Sequence, residues 1–398
     1  MRKFLWVMAL PLSLLLAGGG VAAAQSNKGF PYNADERAVG PYTLEDPLCF
    51  TDGRPVRCKA GWKARRSEIL SLFEREMYGR IPGPEPLHLQ TLEDGIMSDG
   101  SLRRTVIRMR FRPDCSGPCI DWTVFAPEGH NGSLPVVLML RFADGTTELC
   151  DPVQAVTSRG YALVCAFYND ISPDPARAEL QDSLAFSGIF DLWPDSGTPD
   201  GPRALGAWAW ALMRGMDLIE TLPGLDAGRV VLAGSSRLGK AALVAAAWDE
   251  RFAVICLNQT GGGGVPLAKR YFGENVLSET SRFRHWFSPA YAKYAGCEAA
   301  TMPFDQHLLV SCIAPRPLLV EGFDNPWFDT RGEFLCLKAA SPVWRFLGAE
   351  GLPDVDWPDD YDTSAIGPVL GYVRRDQGHG IAAIDWTWLL DFADRALR

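Results

Sequence analysis

The fold of this 398-residue chain is decided by residues 230–240, which read Val-Val-Leu-Ala-Gly-Ser-Ser-Arg-Leu-Gly-Lys. A short apolar run breaks at Gly234, presents Ser236, and resumes as an alanine-rich helical stretch over residues 241–247. This pattern is typical of a nucleophile elbow, in which a serine lies on a sharp strand-to-helix turn between small residues. The spacing Gly-x-Ser-x-x-Gly is one residue longer than the common form, so a serine that only caps the helix remains an alternative.

The sequence around the elbow alternates buried apolar runs with helical stretches. Helices are predicted over residues 203–221 and 386–396. This alternation predicts a mostly parallel central sheet flanked by helices on both faces, in the three-layer arrangement of the α/β-hydrolase fold. The predicted buried strands are 136–140, 162–167, 230–233, 254–257, 318–320 and 369–373.

Ahead of the parallel strands, the chain predicts a helix over residues 63–78 and a hairpin formed by residues 104–111 and 120–126. We expect a single domain over residues 25–398, with residues 25 to about 100 as an N-terminal extension. Two segments rich in Pro, Asp and Gly are predicted to be loops that shape substrate access, at residues 170–202 and 349–367.

The first 24 residues have the pattern of a secretory signal peptide. Arg2 and Lys3 precede an apolar stretch that runs from Phe4 to Ala17, and small residues before Gln25 suit a cleavage site after Ala24. We therefore expect a secreted or periplasmic protein. No later apolar run reaches the roughly 20 residues needed to cross a bilayer, so no membrane partner is expected.

The charge balance is acidic. The formal net charge of −9 becomes −11 when the two cations of the leader are removed. An acidic surface without a basic stripe disfavours a nucleic-acid partner. We expect a monomer.

Export would place the ten cysteines of the chain in an oxidising compartment, and two pairs of them lie close together in polar, turn-rich segments. Cys49 with Cys58, and Cys115 with Cys119, are candidates for local disulfides. The Cys115-x-x-x-Cys119 pair has no companion Cys or His cluster, so no metal site is predicted.

A nucleophilic serine needs a histidine to take its proton and a carboxylate to hold that histidine, in the order Ser, acid, His for this fold. Of the five histidines in the chain, His379 follows the last predicted strand, in the loop Asp-Gln-Gly-His-Gly. His379 is therefore the predicted base. The alternative is an ordinary surface-loop histidine.

The acid should follow the strand near residues 318–321. Asp324 is the nearest carboxylate after that strand, and Asp329 is its rival. Either aspartate could instead cap the helix that begins near Thr330.

The chain resembles the glucuronoyl esterases, which form carbohydrate esterase family fifteen, and the bacterial members of that family in particular. The elbow Gly-Ser-Ser-Arg-Leu-Gly-Lys is similar to that family's Gly-x-Ser-Arg-x-Gly-Lys. Further similar segments, in order along the chain, are Trp-Asp-Glu-Arg-Phe-Ala at 248–253, Phe-Gly-Glu at 272–274, His-Trp-Phe at 285–287, Ala-Pro-Arg-Pro-Leu-Leu at 314–319 and Arg-Gly-Glu-Phe at 331–334.

The resemblance implies a role for each matching residue. Ser236 would be the nucleophile, His379 the base, and Arg237 a donor to the oxyanion, which suits a permanently charged, forked guanidinium. The residues implied to bind the substrate are Lys240, Glu274, Trp327 and Gln259. Milder alternatives are a solvated charge for Lys240 and a core side chain for Trp327.

One departure concerns the acid. Family members carry it either where this chain has Asn-Gln-Thr at 258–260, or where Asn325 lies. Neither aligned position is a carboxylate, and a one-residue shift would bring Asp324 into use. Gln259 can orient a histidine but cannot balance an imidazolium charge.

The implied function is a serine esterase that cleaves esters of (4-O-methyl-)glucuronic acid in glucuronoxylan with lignin alcohols, through an acyl-enzyme and without a cofactor. The alternatives are another carbohydrate or feruloyl esterase of the same fold, or a catalytically impaired protein that only binds uronate.

Overall fold

A nine-stranded mixed sheet organises the chain. The computed structural model describes residues 25–27, 29–142, 149–176, 178–181, 184–376 and 378–398; the predicted leader, residues 1–24, lies outside them. The strands are β1 Gln25–Asn27, β2 Phe30–Tyr32, β3 His88–Ile96, β4 Leu102–Arg110, β5 Cys119–Pro127, β6 Leu134–Arg141, β7 Ala162–Phe167, β8 Leu225–Ser235, β9 Val254–Asn258, β10 Leu318–Phe323 and β11 Leu370–Arg375.

The helices connect and cover these strands. They are α1 Lys59–Phe73, α2 Pro152–Thr157, α3 Tyr168–Ile171, α4 Ala178–Gln181, α5 Ala204–Thr221, α6 Ser236–Trp248, α7 Val276–Arg282, α8 Gln306–Ser311, α9 Thr330–Leu347 and α10 Ala383–Ala396. A π-helical turn, Glu74–Tyr78, extends α1. Short 3-10 segments lie at Glu36–Ala38, Gly188–Leu192, Ala268–Arg270, Pro289–Tyr294, Gly296–Thr301 and Pro326–Phe328.

The strand order is β11-β10-β9-β8-β6-β7-β5-β4-β3. Strands β11 through β7 are parallel, and β5, β4 and β3 continue the sheet in antiparallel pairs. Because the carboxyl ends of parallel strands meet at one edge, the segments that follow β8, β9, β10 and β11 lie at the same edge of the sheet.

Helices cover both faces of the sheet. Side chains of β6 alternate between the two layers: Val136 and Leu138 pack in the larger core with α5 and α6, whereas Val137 and Met139 pack with α10 on the other face. This is the period-two alternation of a strand buried on both sides. The prediction of a three-layer α/β-hydrolase fold is confirmed.

Strand β3 was not predicted from the sequence. It forms the edge of the sheet, and its residues after His88 are exposed, so the strand has no buried face to impose an apolar alternation. A register shift between Thr91 and Glu93 breaks the pattern further. The predicted helix over 63–78 begins earlier, at Lys59.

The predicted local disulfides are wrong in this structure, where all four cysteines are free. Cys58 instead caps α1, because its Sγ accepts a hydrogen bond from the Gly61 N–H at 3.4 Å. The Cys49 Sγ donates to the Phe50 carbonyl oxygen at 3.5 Å. Within the described ranges, no helix is both long and apolar enough to cross a membrane.

Substituting Gly234 tests the close approach of α6 to β8. In Gly234→Ala, the new Cβ would lie 2.5 Å from the Leu238 carbonyl oxygen, a distance that real Cβ atoms do not adopt. The backbone must shift, so we expect the free energy of unfolding to fall by about 1–3 kcal/mol in urea titrations followed by fluorescence.

Gly95→Ala is the matched control, since a Cβ at Gly95 on β3 meets no atom within 4 Å. Its unfolding free energy should change by less than about 0.5 kcal/mol. Equal unfolding midpoints for the two variants would show that the turn tolerates the contact.

Candidate active site

The strand-to-helix turn lies where the sequence predicts it. Ser235 ends β8 and Ser236 begins α6 with a φ of 57°, in the left-handed region that is costly for a residue other than glycine. Two glycines permit this crossing: a Cβ at Gly239 would lie 3.0 Å from the Gly234 carbonyl oxygen. The turn has the strained geometry of a nucleophile elbow and places Ser236 at the start of α6.

Sheet register brings Gln259 beside this turn. Ser235 of β8 pairs with Asn258 of β9, and the Ser235 hydroxyl donates to Asn258 Oδ1 at 3.1 Å. The next residues, Ser236 and Gln259, therefore leave neighbouring strands at the same level. Gln259 also has a positive φ, 49°, and its side chain is fully buried.

His379 contacts Gln259 directly. The His379 Nδ1 atom lies 2.9 Å from Gln259 Oε1, which also accepts the Gly380 N–H at 2.9 Å. Gln259 Nε2 donates to the Gly380 carbonyl oxygen at 3.3 Å. Since these backbone contacts identify Oε1 as the acceptor, His379 carries its proton on Nδ1, and Nε2 is free to accept a proton.

A buried ion pair holds the loop that carries His379. Arg375 and Asp385 are both fully buried, and Arg375 Nε donates to Asp385 Oδ1 at 2.8 Å. The same guanidinium donates to the carbonyl oxygens of Gly378, at 3.0 Å, and Gly380. These contacts fix the backbone on both sides of the histidine.

The surroundings of His379 keep it neutral. Burial lowers the pKa of His379 to about 4, and the positive charges of Lys240, Arg237 and Arg375 act in the same direction. The imidazole is thus neutral over a wide pH range. It is also a weaker base than one paired with a carboxylate.

Asp324 does not occupy the position of the triad acid, contrary to the prediction. Its carboxylate is 63% exposed, and Oδ1 lies 4.0 Å from Arg374 Nη1. Strand alternation explains this: Phe323 points inward and contacts the His379 ring at a centroid distance of 5.6 Å, so the next side chain points away. A one-residue shift therefore cannot replace the carboxylate that Asn325 lacks.

Asp329, the rival acid, has the capping role that the sequence left open. Its Oδ1 accepts the Gly332 N–H at 2.9 Å at the start of α9, and its Oδ2 lies 3.0 Å from Arg270 Nε. Burial raises the pKa of Asp329 to about 6 despite this ion pair. Asn325 likewise caps its own turn, accepting the Trp327 N–H at 2.9 Å.

The predicted binding residues come together beside the elbow. Lys240 Nζ lies 3.1 Å from Glu274 Oε2, and both side chains are buried. The Glu274 N–H donates to the Trp327 carbonyl oxygen at 2.7 Å, which joins the backbones of the two residues. The Arg282 guanidinium lies 5.6 Å from the Trp327 ring centroid. A carboxylate, cations and an aromatic face suit a polar sugar ring.

Arg237 extends from the first turn of α6 into an aromatic enclosure. Its guanidinium carbon lies 5.0 Å from the Trp286 ring centroid and 5.6 Å from that of Phe142. Its Nη1 donates to the Asp174 carboxylate. A guanidinium held beside the serine can stabilise negative charge that develops on a carbonyl oxygen.

Sequence reasoning missed Asp174, Arg282 and His285 as members of this site. Asp174 lies in Ser-Pro-Asp-Pro, which reads as an ordinary turn. His285 precedes the last two strands, a position that argues against a role as the base, and its place in the family-like His-Trp-Phe segment is the signal that could have pointed to it. Across the ranges given above, no cluster of three His, Cys, Asp or Glu side chains is arranged to hold a metal ion.

Comparisons with known proteins agree with this geometry. A family model described as "Glucuronyl esterase, fungi" matches residues 119–348. A prokaryotic protein named carbohydrate esterase MZ0003, of unknown organism, is 31% identical over 405 aligned positions covering 91% of each chain. A 4-O-methyl-glucuronoyl methylesterase of Podospora anserina is 31% identical over 317 positions, covering 77% of this chain and 60% of the relative.

Solved structures show the same similarity. A glucuronoyl esterase from Solibacter usitatus superimposes with a TM-score of 0.82 at 32% identity, covering 92% of this chain and all of that one. A structure described as a promiscuous family-fifteen carbohydrate esterase from a marine bacterial metagenome gives a TM-score of 0.81 at 29% identity, with 92% of this chain covered.

An α/β-hydrolase fold with a serine elbow, a histidine at the same sheet edge and an adjacent guanidinium defines a carboxylic ester hydrolase. The comparisons narrow this class, and the chain belongs to the glucuronoyl esterase family. The resemblance read from the sequence is confirmed.

Gln259→Glu should raise the pKa of His379, because a carboxylate at Oε1 stabilises the imidazolium that an amide cannot. A base must be neutral, so activity is lost as pH falls through its pKa. With a His379 pKa of about 4, wild-type kcat/KM should decline only near pH 4, and the decline should move to higher pH in Gln259→Glu. A pH–rate profile on a soluble ester measures both.

Gln259→Ala is the comparison variant, because it removes the acceptor without adding charge. It should lower kcat/KM at every pH, by about 10-fold or more, since the tautomer is no longer held. If kcat/KM declines at the same acidic pH in wild type and in Gln259→Glu, the direct contact between residue 259 and His379 is contradicted.

Proposed function

We propose that this protein hydrolyses esters that join the carboxyl group of (4-O-methyl-)glucuronic acid in glucuronoxylan to alcohols of lignin. The observation that carries the proposal is the buried Lys240–Glu274 pair, 3.1 Å apart, on the helix that begins at Ser236 and on a segment whose Glu274 N–H bonds to the Trp327 carbonyl oxygen. Several relatives are named 4-O-methyl-glucuronoyl methylesterase, which supports a glucuronate ester as the substrate.

The proposed reaction is an acyl transfer through a covalent intermediate. Ser236 attacks the uronate carbonyl while His379 Nε2 takes the hydroxyl proton. Arg237 stabilises the tetrahedral oxyanion, and His379 then returns the proton to the departing alkoxide. Water, activated by the same histidine, releases glucuronate from the acyl-enzyme.

Substrate orientation follows from the neighbouring residues. A sugar hydroxyl can donate to the Glu274 carboxylate and accept from Lys240, while the Trp327 indole covers the ring. Lys240 lies one helical turn after Ser236, so a ring bound there presents its carboxyl carbon to the serine. An ester without sugar hydroxyls would forgo these contacts.

A second candidate is a protein that binds uronate and turns it over poorly or not at all. The observation that favours it is Gln259, because the only side-chain hydrogen-bond partner that the described residues provide to His379 is an amide. In serine hydrolases, replacing the triad carboxylate by an amide lowers kcat by up to about 10⁴-fold.

A panel of esters distinguishes these candidates. We expect benzyl glucuronate to be hydrolysed faster than acetyl and feruloyl esters, and Ser236→Ala to lower kcat by at least about 10³-fold. Turnover of acetyl or feruloyl esters alone would favour a different acyl group. Binding of glucuronate without turnover of any ester would favour the binding protein.

Asp324→Asn is the control that separates this site from the acid expected from the sequence. Its exposed carboxylate faces solvent near Arg374, so kcat on benzyl glucuronate should stay within about 2-fold of wild type. A loss comparable to that of Ser236→Ala would return Asp324 to the catalytic site.

We also propose that the protein is exported and that residues 1–24 are removed. The charged start, apolar stretch and small residues before Gln25 support this. N-terminal sequencing of protein secreted by a bacterial host should therefore begin at Gln25. Retention of the leader in the exported protein would contradict the cleavage site.

Light scattering of the same preparation tests the expected monomer.

A further inference from the structure

A buried carboxylate from the long loop before α5 lies against Arg237. Asp174 follows α3 in the segment 170–202, and its side chain is only 1% exposed. The sequence predicts this segment as a loop that shapes substrate access. In the structure it also places the Asp174 carboxylate against Arg237 of α6.

Asp174 is surrounded by hydrogen-bond donors. Its Oδ1 lies 2.8 Å from His285 Nε2 and 2.8 Å from Trp286 Nε1. Its Oδ2 accepts from the Tyr168 hydroxyl at 3.2 Å and from Arg237 Nη1. Four donors converge on one carboxylate, so its position is fixed from several directions.

The carboxylate is also held in its charged form. Burial alone would raise the pKa of Asp174, but the hydrogen bond from His285 and the positive charge of Arg237 outweigh burial and lower the pKa to about 2. Asp174 is therefore an anion across the neutral range. It opposes the cost of burying the Arg237 cation.

Arg237 depends on this contact for its direction. An arginine side chain has several rotatable bonds, and aromatic rings such as Trp286 and Phe142 attract its charge without fixing the plane of the fork. A guanidinium presents five N–H donors in a rigid plane. Binding one side of that plane to Asp174 sets where the remaining donors point.

We propose that Asp174 is a positioning residue that orients the Arg237 guanidinium towards the oxyanion of the ester. This inference rests on the proposed esterase function. His285 and Trp286 belong to the arrangement because they hold the carboxylate, and no direct contact of Asp174 with substrate is required.

The test is a double-mutant cycle on benzyl glucuronate with Asp174→Asn, Arg237→Ala and the double variant. Removing one oxyanion donor costs about 10²–10³-fold in kcat. We expect about that loss for Arg237→Ala and about 10-fold for Asp174→Asn, with KM changed less than kcat in both. The double variant should be no slower than Arg237→Ala, because Asp174 acts through Arg237.

Guanidinium rescue separates positioning from a merely structural role. Millimolar guanidinium chloride should restore part of the kcat of Arg237→Ala, because Asp174 remains to bind the added cation. It should not restore the double variant. Thermal unfolding and active-site titration of each variant give the folded, active fraction by which rates are divided.

Asp195→Asn is the matched control in the same loop. Asp195 pairs with Arg80 at 2.5 Å, and both side chains are partly exposed. Its kcat should stay within about 2-fold of wild type. The proposal is overturned if the losses of kcat in Asp174→Asn and Arg237→Ala multiply in the double variant. It is also overturned if guanidinium rescues Arg237→Ala equally well with and without Asp174.

Measuring the affinity of the same variants for glucuronate distinguishes a failure of the Asp174 proposal from a failure of the proposed esterase function. The product carboxylate should occupy the place of the ester group, so Arg237→Ala and Asp174→Asn should each weaken binding. The double variant should bind no more weakly than Arg237→Ala. If wild type hydrolyses no ester, the esterase function fails, and this binding cycle alone decides whether Asp174 positions Arg237.

Discussion

The close crossing of β8 and α6 is the constraint on which the site depends. The helix can start directly after the strand only because position 234 has no side chain to meet the Leu238 carbonyl oxygen. That crossing holds Ser236 at a φ of 57° and sets the directions of Arg237, on the first turn of α6, and Lys240, one turn after Ser236. The serine and both cations are therefore placed by one turn of backbone, so displacing the turn would move them together.

Around His379, charge is distributed unevenly. The cations that lower its pKa each have a buried carboxylate partner: Arg237 has Asp174, Lys240 has Glu274, and Arg375 has Asp385. None of these carboxylates is bonded to the histidine, whose partner is an amide. Such a site favours negative charge on a reacting carbonyl oxygen more than positive charge on the imidazole. Proton transfer to His379 is thus the step that the surroundings help least.

Local patterns and long-range packing differ in what a sequence can reveal. The elbow, the parallel strands and His379 were predictable because each depends on neighbouring residues and on strand order. The acid was not: Asp324 follows the right strand, but alternation after the inward-facing Phe323 turns it to solvent. Asp174 carries no local signal at all, since its contact with Arg237 joins residues 63 positions apart.

Gln259 separates two functions that a triad carboxylate performs together. Its amide oxygen accepts both the His379 Nδ1–H and the Gly380 N–H, so the tautomer and the ring orientation are held. It supplies no charge to the imidazolium. Gln259 is fully buried, and both ends of its amide are hydrogen-bonded to the Gly380 backbone, so turning the amide would break these contacts. Any compensation must then come from the oxyanion side, where Arg237 is oriented by the loop carboxylate of Asp174.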